Sequence, residues 1–221
     1  MKNALIIGSS GGLGTAMSDA LAARGVAVTG LSRSGDGLDV TDEASVAAAL
    51  GALDGPFDLI FVATGALEIN GVTPEKTLRH VTAEAMIDQF KLNTVGPSLV
   101  LKHAMRLLPR HERAVFAALS ARVGSIGDNR LGGWYSYRTS KAALNQMLHG
   151  ASVELGRTHK GLICVALHPG TVETPFTEKY VGHNPSVPAS KAAENLLSVL
   201  DRLAVEDSGK FYDWQGTEVP W

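Results

Sequence analysis

Gly8-Ser9-Ser10-Gly11-Gly12-Leu13-Gly14 joins the apolar run Ala4-Leu5-Ile6-Ile7 to a helix-like stretch from Thr15 to Arg24. A buried strand, a glycine turn and a helix start in that order constrain the fold more than any other feature of the chain. The first N–H groups of a helix have no partner within it, and the helix dipole adds to their pull on anions. Glycines let a phosphate approach that backbone closely. Gly8, Gly12 and Gly14 read G-x-x-x-G-x-G rather than the commoner G-x-G-x-x-G. The turn predicts a pyrophosphate cradle formed by Gly8, Ser10, Gly12, Leu13 and Gly14.

The remainder of the chain continues the alternation. Strand-like apolar runs are read at residues 4–8, 26–31, 38–40, 57–63, 114–120, 162–167 and 210–213. Helix-like stretches are read at 12–24, 42–53, 82–108, 134–158 and 189–204, the third containing Pro97, which predicts a kink or shift there. The strands are unbroken apolar runs, as in a parallel sheet covered on both faces. Repeated βα units predict a Rossmann-type, doubly wound α/β domain of about seven strands with helices on both faces. No linker or fixed-period repeat divides residues 1–221, so one domain is expected. Residues 69–76 and 179–188 are the expected flaps, and loops at about 170–190 the expected substrate pocket.

Composition narrows the function. With 20 Lys and Arg against 22 Asp and Glu, scattered along the chain, there is no basic footprint for nucleic acid. No apolar run is long enough to cross a bilayer, and the first residues do not read as a signal peptide. The one cysteine, Cys164, cannot form an internal disulfide and reads as a buried, inert thiol. A cytoplasmic protein is expected. The seven histidines have no ligand-like spacing, so no metal site is expected.

In open α/β sheets the ligand lies beyond the C-terminal ends of the strands. The second strand ends in Leu31-Ser32-Arg33-Ser34, where an acidic residue would favour an unphosphorylated ribose. Arg33 can pair with a 2′-phosphate and Ser32 or Ser34 can donate to it, so NADP(H) is favoured over NAD(H). Asp39 and Val40 follow, where the Asp39 carboxylate is placed to accept from an adenine amino group. Further on, Tyr137 and Lys141 stand four apart near a helix start and share one face. A neighbouring ammonium lowers a phenol's pKa, which would suit Tyr137 to exchange protons near neutral pH.

These residues together resemble the classical short-chain dehydrogenase/reductase family over essentially the whole chain. Gly8, Gly12 and Gly14 match its cofactor glycines, Asp39 its adenine-contacting acid, and Tyr137 with Lys141 its catalytic pair. Ala63-Thr64-Gly65 is similar to a degenerate form of its Asn-Asn-Ala-Gly segment, and Asn93 matches its helix asparagine. His168-Pro169-Gly170-Thr171-Val172-Glu173-Thr174 matches the stretch that wraps the nicotinamide. Residues 119–126 and 132–145 most resemble small bacterial carbonyl reductases and the cell-signalling C-factor type. The resemblance implies NADPH-dependent hydride transfer to a small carbonyl compound, or the reverse from an alcohol. Tyr137 would be the acid/base, Lys141 would hold the nicotinamide ribose, and Asn93 would place a relay water. Pro169, Gly170, Val172 and Thr174 would surround the nicotinamide, Thr174 bonding its carboxamide. A homodimer or homotetramer through the helices at 82–108 and 134–158 is a further expectation. A non-catalytic NADP(H)-binding regulator is the alternative.

The chain departs from the family pattern at its catalytic serine. Counting from the strand, Ser120 takes that position; counting back from Gly124, Ala121 takes it, and Ser125 is a third candidate. Ser120 is the expected catalytic serine. Trp134, Phe176 and Tyr180 flank the motifs as candidate pocket walls, with His168 near the mouth. Trp214 and Trp221 are placed either to close the pocket or to pack against a second subunit.

Overall fold

The computed structural model describes residues 1–174 and 186–221. Its apolar runs pair in parallel because helices cover both faces of the sheet. The elements follow in the order β1 (Asn3–Ile7), α1 (Gly12–Ala23), β2 (Ala27–Leu31), α2 (Arg33–Asp36), α3 (Glu43–Gly51) and β3 (Leu59–Val62). Then come α4 (Ala83–Phe90), α5 (Gly96–Ala104), β4 (Ala114–Leu119), α6 (Tyr135–Leu155) and β5 (Leu162–His168). The last are β6 (Val172–Glu173), β7 (Val187–Pro188), α7 (Ala189–Arg202) and β8 (Phe211–Asp213). The main sheet has six strands in the order β2-β1-β3-β4-β5-β8, all parallel. The chain winds outward to β2, then crosses back over β1 to build the other half. The single α/β domain is therefore doubly wound, with its reversal between β1 and β3.

Alternate residues of each strand feed two cores. Phe116, Ala118, Cys164 and Ala166 pack with Val46, Val100 and Leu144 beneath α3, α5 and α6. Val115, Ala117, Ile163 and Val165 pack with Met17, Leu21, Leu196 and Leu200 beneath α1 and α7. Fully burying one of the Val, Leu, Ile, Phe or Met side chains among them contributes about 1.5–3 kcal/mol, so a one-residue slip that exchanged the two faces would be costly.

One sequence expectation changes, and the disturbance expected at Pro97 takes a specific form. Residues 38–40 form no strand, which accounts for six strands where about seven were expected. After β2 the chain turns into α2, capped by the Ser32 side chain accepting from the Gly35 N–H. Gly37, at φ 69°, turns it back so that the Leu38 N–H reaches the Ser32 carbonyl. Leu38 and Val40 are apolar because they fill the α3/α5 core, not because they pair in a sheet. The helix at 82–108 is broken into α4, a π-helical turn at Lys91–Val95, and α5. Pro97 has no N–H to donate back along the helix, and the widened turn absorbs that loss. A two-residue parallel pair, β6 with β7, was too short to be legible as a period. No described helix is long and apolar enough to cross a membrane.

Candidate active site

The strand ends converge on a cavity of about 660 Å³. At its first corner lies the glycine turn. Gly8 takes φ 87°, and a Cβ on Gly14 would lie 2.1 Å from the Gly8 carbonyl oxygen, so both positions require glycine. The N-cap of α1, Gly11, offers no side-chain cap, so the uncapped helix start faces the cavity with Ser10, Gly12, Leu13 and Gly14 lining it. Thr174 packs over this turn, its methyl 2.9 Å from where a Gly12 Cβ would be. The turn fits a pyrophosphate: open backbone, no carboxylate among the described residues lining the cavity, and room above.

The adenosine side differs in detail from the sequence expectation. Arg33 and Ser34 are exposed at the start of α2, and the Ser34 hydroxyl bonds to that of Ser10 at 3.0 Å. Ser32 is buried instead. Its N–H and hydroxyl both donate to Asp36, so it closes the turn rather than facing a ligand. Asp39 accepts from the Thr41 N–H and hydroxyl at 2.8 and 2.7 Å, and these bonds hold its carboxyl below the usual range. Val40 is buried against Gly96.

At the opposite corner, α6 presents Tyr137 and Lys141 from its first two turns, both lining the cavity. The Lys141 Nζ donates to the Leu119 carbonyl at 2.8 Å and lies 5.8 Å from the centre of the Tyr137 ring. Burial governs both groups. It pushes the Tyr137 phenol well above its ordinary value and the Lys141 ammonium down to about 7. The expected lowering of the phenol by the ammonium does not prevail in this arrangement, because burial outweighs it.

Ala63, Thr64 and Gly65 line the cavity at the end of β3, and the buried Thr64 hydroxyl has no internal partner. Gly65 separates Asn93 from Lys141: a Cβ there would lie 2.9 Å from Asn93 Oδ1 and 3.3 Å from Lys141 Nζ. Asn93 itself is fully buried in the π turn. Its amide accepts from the Ala66 N–H and donates to the Ala66 carbonyl, both at 3.0 Å, and also donates to Gln89. Its side chain therefore clamps the β3 loop. Pro169, Gly170 and Val172 line the far wall. The Trp214 indole lies against Gly170. Trp221 stacks on Phe211 within the chain.

The serine question resolves into geometry. Ser120 borders the cavity but donates to Asn145 Oδ1 at 2.7 Å, while Ala121 also borders the cavity. Ser125 is committed to the Pro220 carbonyl. Asn145 was missed in the sequence, although Tyr137, Lys141 and Asn145 continue one i, i+4 series. Glu75 was missed too: from a loop, its buried carboxylate caps α6 by accepting from the Ser136 N–H and hydroxyl. No periodicity could have shown that. His168 borders the cavity, its Nδ1 buried without a partner, and burial pushes its pKa down to about 4. Phe176, Tyr180 and most of the flap at 179–188 lie outside the described residues.

A wound parallel sheet with a glycine turn and a cavity at its C-terminal edge defines a Rossmann-type α/β protein. The chain belongs to the short-chain dehydrogenase/reductase family: residues 8–206 match the family model described as Enoyl-(Acyl carrier protein) reductase. It is 33% identical over 204 residues to 1-hydroxy-2-glutathionyl-2-methyl-3-butene dehydrogenase of Rhodococcus sp. strain AD45, covering 91% of this chain and 83% of that protein. It is 38% identical over 136 residues to C-signal of Myxococcus xanthus, covering 62% of this chain and 78% of that one. Among solved structures, the NADPH-bound carbonyl reductase from chicken fatty liver superposes with a TM-score of 0.84. It is 25% identical, covering 100% of this chain and 99% of that one.

Proposed function

We propose that this enzyme moves a hydride between NADP(H) and a small carbonyl or alcohol, with Tyr137 as general acid/base. The observation that carries the reading is the placement of Tyr137 and Lys141 in the same cavity as the uncapped glycine turn. The NADPH in the chicken carbonyl reductase and the dehydrogenase activity in the Rhodococcus relative's name agree with it.

The α1 turn and Thr174 would hold the cofactor's pyrophosphate and nicotinamide ends, with Arg33 and Ser34 at the 2′-phosphate. When bound, the cofactor supplies the hydride. Burial keeps Tyr137 protonated, so it has a proton to give as charge develops on the carbonyl oxygen. Once Tyr137 has given its proton, the Lys141 ammonium is the nearby charge that favours the phenolate. Lys141 titrates near neutrality because it is desolvated. Asn93 acts at one remove, fixing Ala66 and so the β3 wall. Ser120 reaches a substrate oxygen only by releasing Asn145.

That engagement of Ser120 is the observation favouring a second reading, a cofactor-binding regulator, as the name of the Myxococcus relative suggests. The wild type and one variant separate the two. Tyr137→Phe is expected to cut aldehyde reduction by roughly 10²–10⁴-fold, while NADPH affinity by fluorescence titration stays within about threefold. Wild-type protein that binds NADPH and reduces no aldehyde would favour the regulator, and unchanged reduction in the variant would remove Tyr137 as the acid/base. In the same titration the wild type is expected to bind NADPH at least about tenfold (about 1.4 kcal/mol) more tightly than NADH. Tighter NADH would remove Arg33 as selector.

A further inference from the structure

We infer that Trp134, held in place by Glu75, is the wall that selects the substrate, and that the substrate is an uncharged, flat, apolar carbonyl compound. The inference rests on the oxidoreductase reading above and narrows it.

Trp134 has φ 50° and ψ 41°, the left-handed region that a bulky side chain avoids. It follows Gly132 at φ 63° and Gly133 at φ 67°, so three successive left-handed residues lead into α6. A conformation of this kind persists only where the surroundings impose it. Glu75 does so from both sides. Its main-chain carbonyl accepts from the Trp134 N–H at 2.6 Å, and its carboxylate accepts from the Ser136 N–H at 3.2 Å and from the Ser136 hydroxyl. Trp134 supplies no side-chain cap to α6, so the buried Glu75 carboxylate is the cap, where the helix dipole favours it.

The strained backbone delivers the indole to the reacting group. Trp134 meets Tyr137 edge to face, with centroids 6.3 Å apart and planes at 68°. Both border the cavity, and Leu67, Ala121 and Val123 complete an apolar lining around them. Flat π surfaces and aliphatic walls suit a planar apolar group. A substrate carboxylate or phosphate would need a free cation. Among the described residues lining the cavity the Lys and Arg side chains are Lys141 and Arg122. Lys141 serves the Tyr137 phenolate in the reading above and donates to Leu119, and Arg122 is paired with Asp128 at 2.6 Å and lies 3.8 Å from Asp213.

The test uses the full chain with NADPH and three substrates: benzaldehyde, propanal and pyruvate. For the wild type, kcat/KM is expected to favour benzaldehyde over pyruvate by at least about a hundredfold. In Trp134→Ala the benzaldehyde-to-propanal ratio of kcat/KM is expected to fall at least about tenfold, chiefly through KM. Trp134→Phe, which keeps a flat ring, restores most of it, and Glu75→Gln lowers the ratio in the same sense. Binding of acetophenone to the NADP⁺ complex, by calorimetry, follows the same order without requiring turnover. Equal losses on benzaldehyde and propanal would overturn Trp134 as the selecting wall. A preference for pyruvate would overturn the substrate class. Acetophenone binding that depends on Trp134, with no turnover of any aldehyde, would support the wall and overturn the oxidoreductase reading instead.

Discussion

Ser120 and Ala121 occupy neighbouring places at the end of β4, yet they offer the cavity different chemistry. Ser120 is 4% exposed, with its proton directed at Asn145, while Ala121 offers a methyl group. A hydroxyl free to donate to a developing oxyanion contributes roughly 3 kcal/mol in an enclosed site. Ala121→Ser is therefore expected to raise kcat for aldehyde reduction, by up to roughly tenfold where the new hydroxyl aligns only in part. Ser120→Ala is expected to act mainly on stability, by about 1–3 kcal/mol in urea unfolding, because it leaves Asn145 Oδ1 unsatisfied. A hundredfold fall in kcat for Ser120→Ala with unchanged stability would place the serine at the substrate instead. The two adjacent letters were visible in the sequence, but the direction of a hydroxyl proton depends on Asn145, 25 positions away.

At the scale of elements, polar side chains join pieces that packing alone would leave loose. The π turn between α4 and α5 exposes the Asn93 amide to the β3 loop, where Gln89 also donates to the Leu67 carbonyl at 2.9 Å. Asn93→Ala is expected to cost about 1–3 kcal/mol in stability and to weaken NADPH binding severalfold, through Ala66 and Gly65 rather than direct contact. Fluorescence titration beside a denaturation curve checks both. Two arginines do comparable work at helix ends. Arg106 donates to the Leu50, Gly51 and Leu53 carbonyls at the C-terminal end of α3, and Arg113 to Leu200 and Leu203 at that of α7. These are carbonyls a helix C-terminus leaves unpaired. In the sequence such arginines look merely scattered. Helix existence was legible from apolar spacing, and the disturbance near Pro97 from its missing N–H. The cap that Glu75 gives α6 was not, since its partner is 61 residues away.

For the whole molecule, the glycine turn and uninterrupted strands sufficed to read a doubly wound sheet, because both are local and repeated. What they could not give was the fate of residues 38–40, where a short apolar run serves a strand or a core plug equally well. Charge buried under the sheet edge links the fold to pH. His168 carries a pKa of about 4, lowered mainly by burial, with Asp213 opposing and Arg122 reinforcing the shift. The folded state thus binds this proton less readily than the unfolded chain. The contribution is fully present above pH 6.5 or so and is lost as pH falls toward about 4. Wild-type stability is expected to drop across that window more steeply than that of His168→Gln, by at most about 1.4 kcal/mol per pH unit. Parallel urea titrations at pH 7, 6 and 5 measure the difference, and equal slopes would show that His168 titrates normally.

The small helix that stands where an outer strand was expected has a consequence for how freely its sequence can change. Residues 32–37 close on themselves through Ser32 and Asp36, and Leu31 and Leu38 root their two ends in the core. Nothing else in the sheet depends on their sequence for its pairing. Substitutions at Arg33 and its exposed neighbours are therefore expected to leave the β-sheet register and the Tyr137 corner as they are, with Ser34, bonded to Ser10, the link from this turn to the glycine turn.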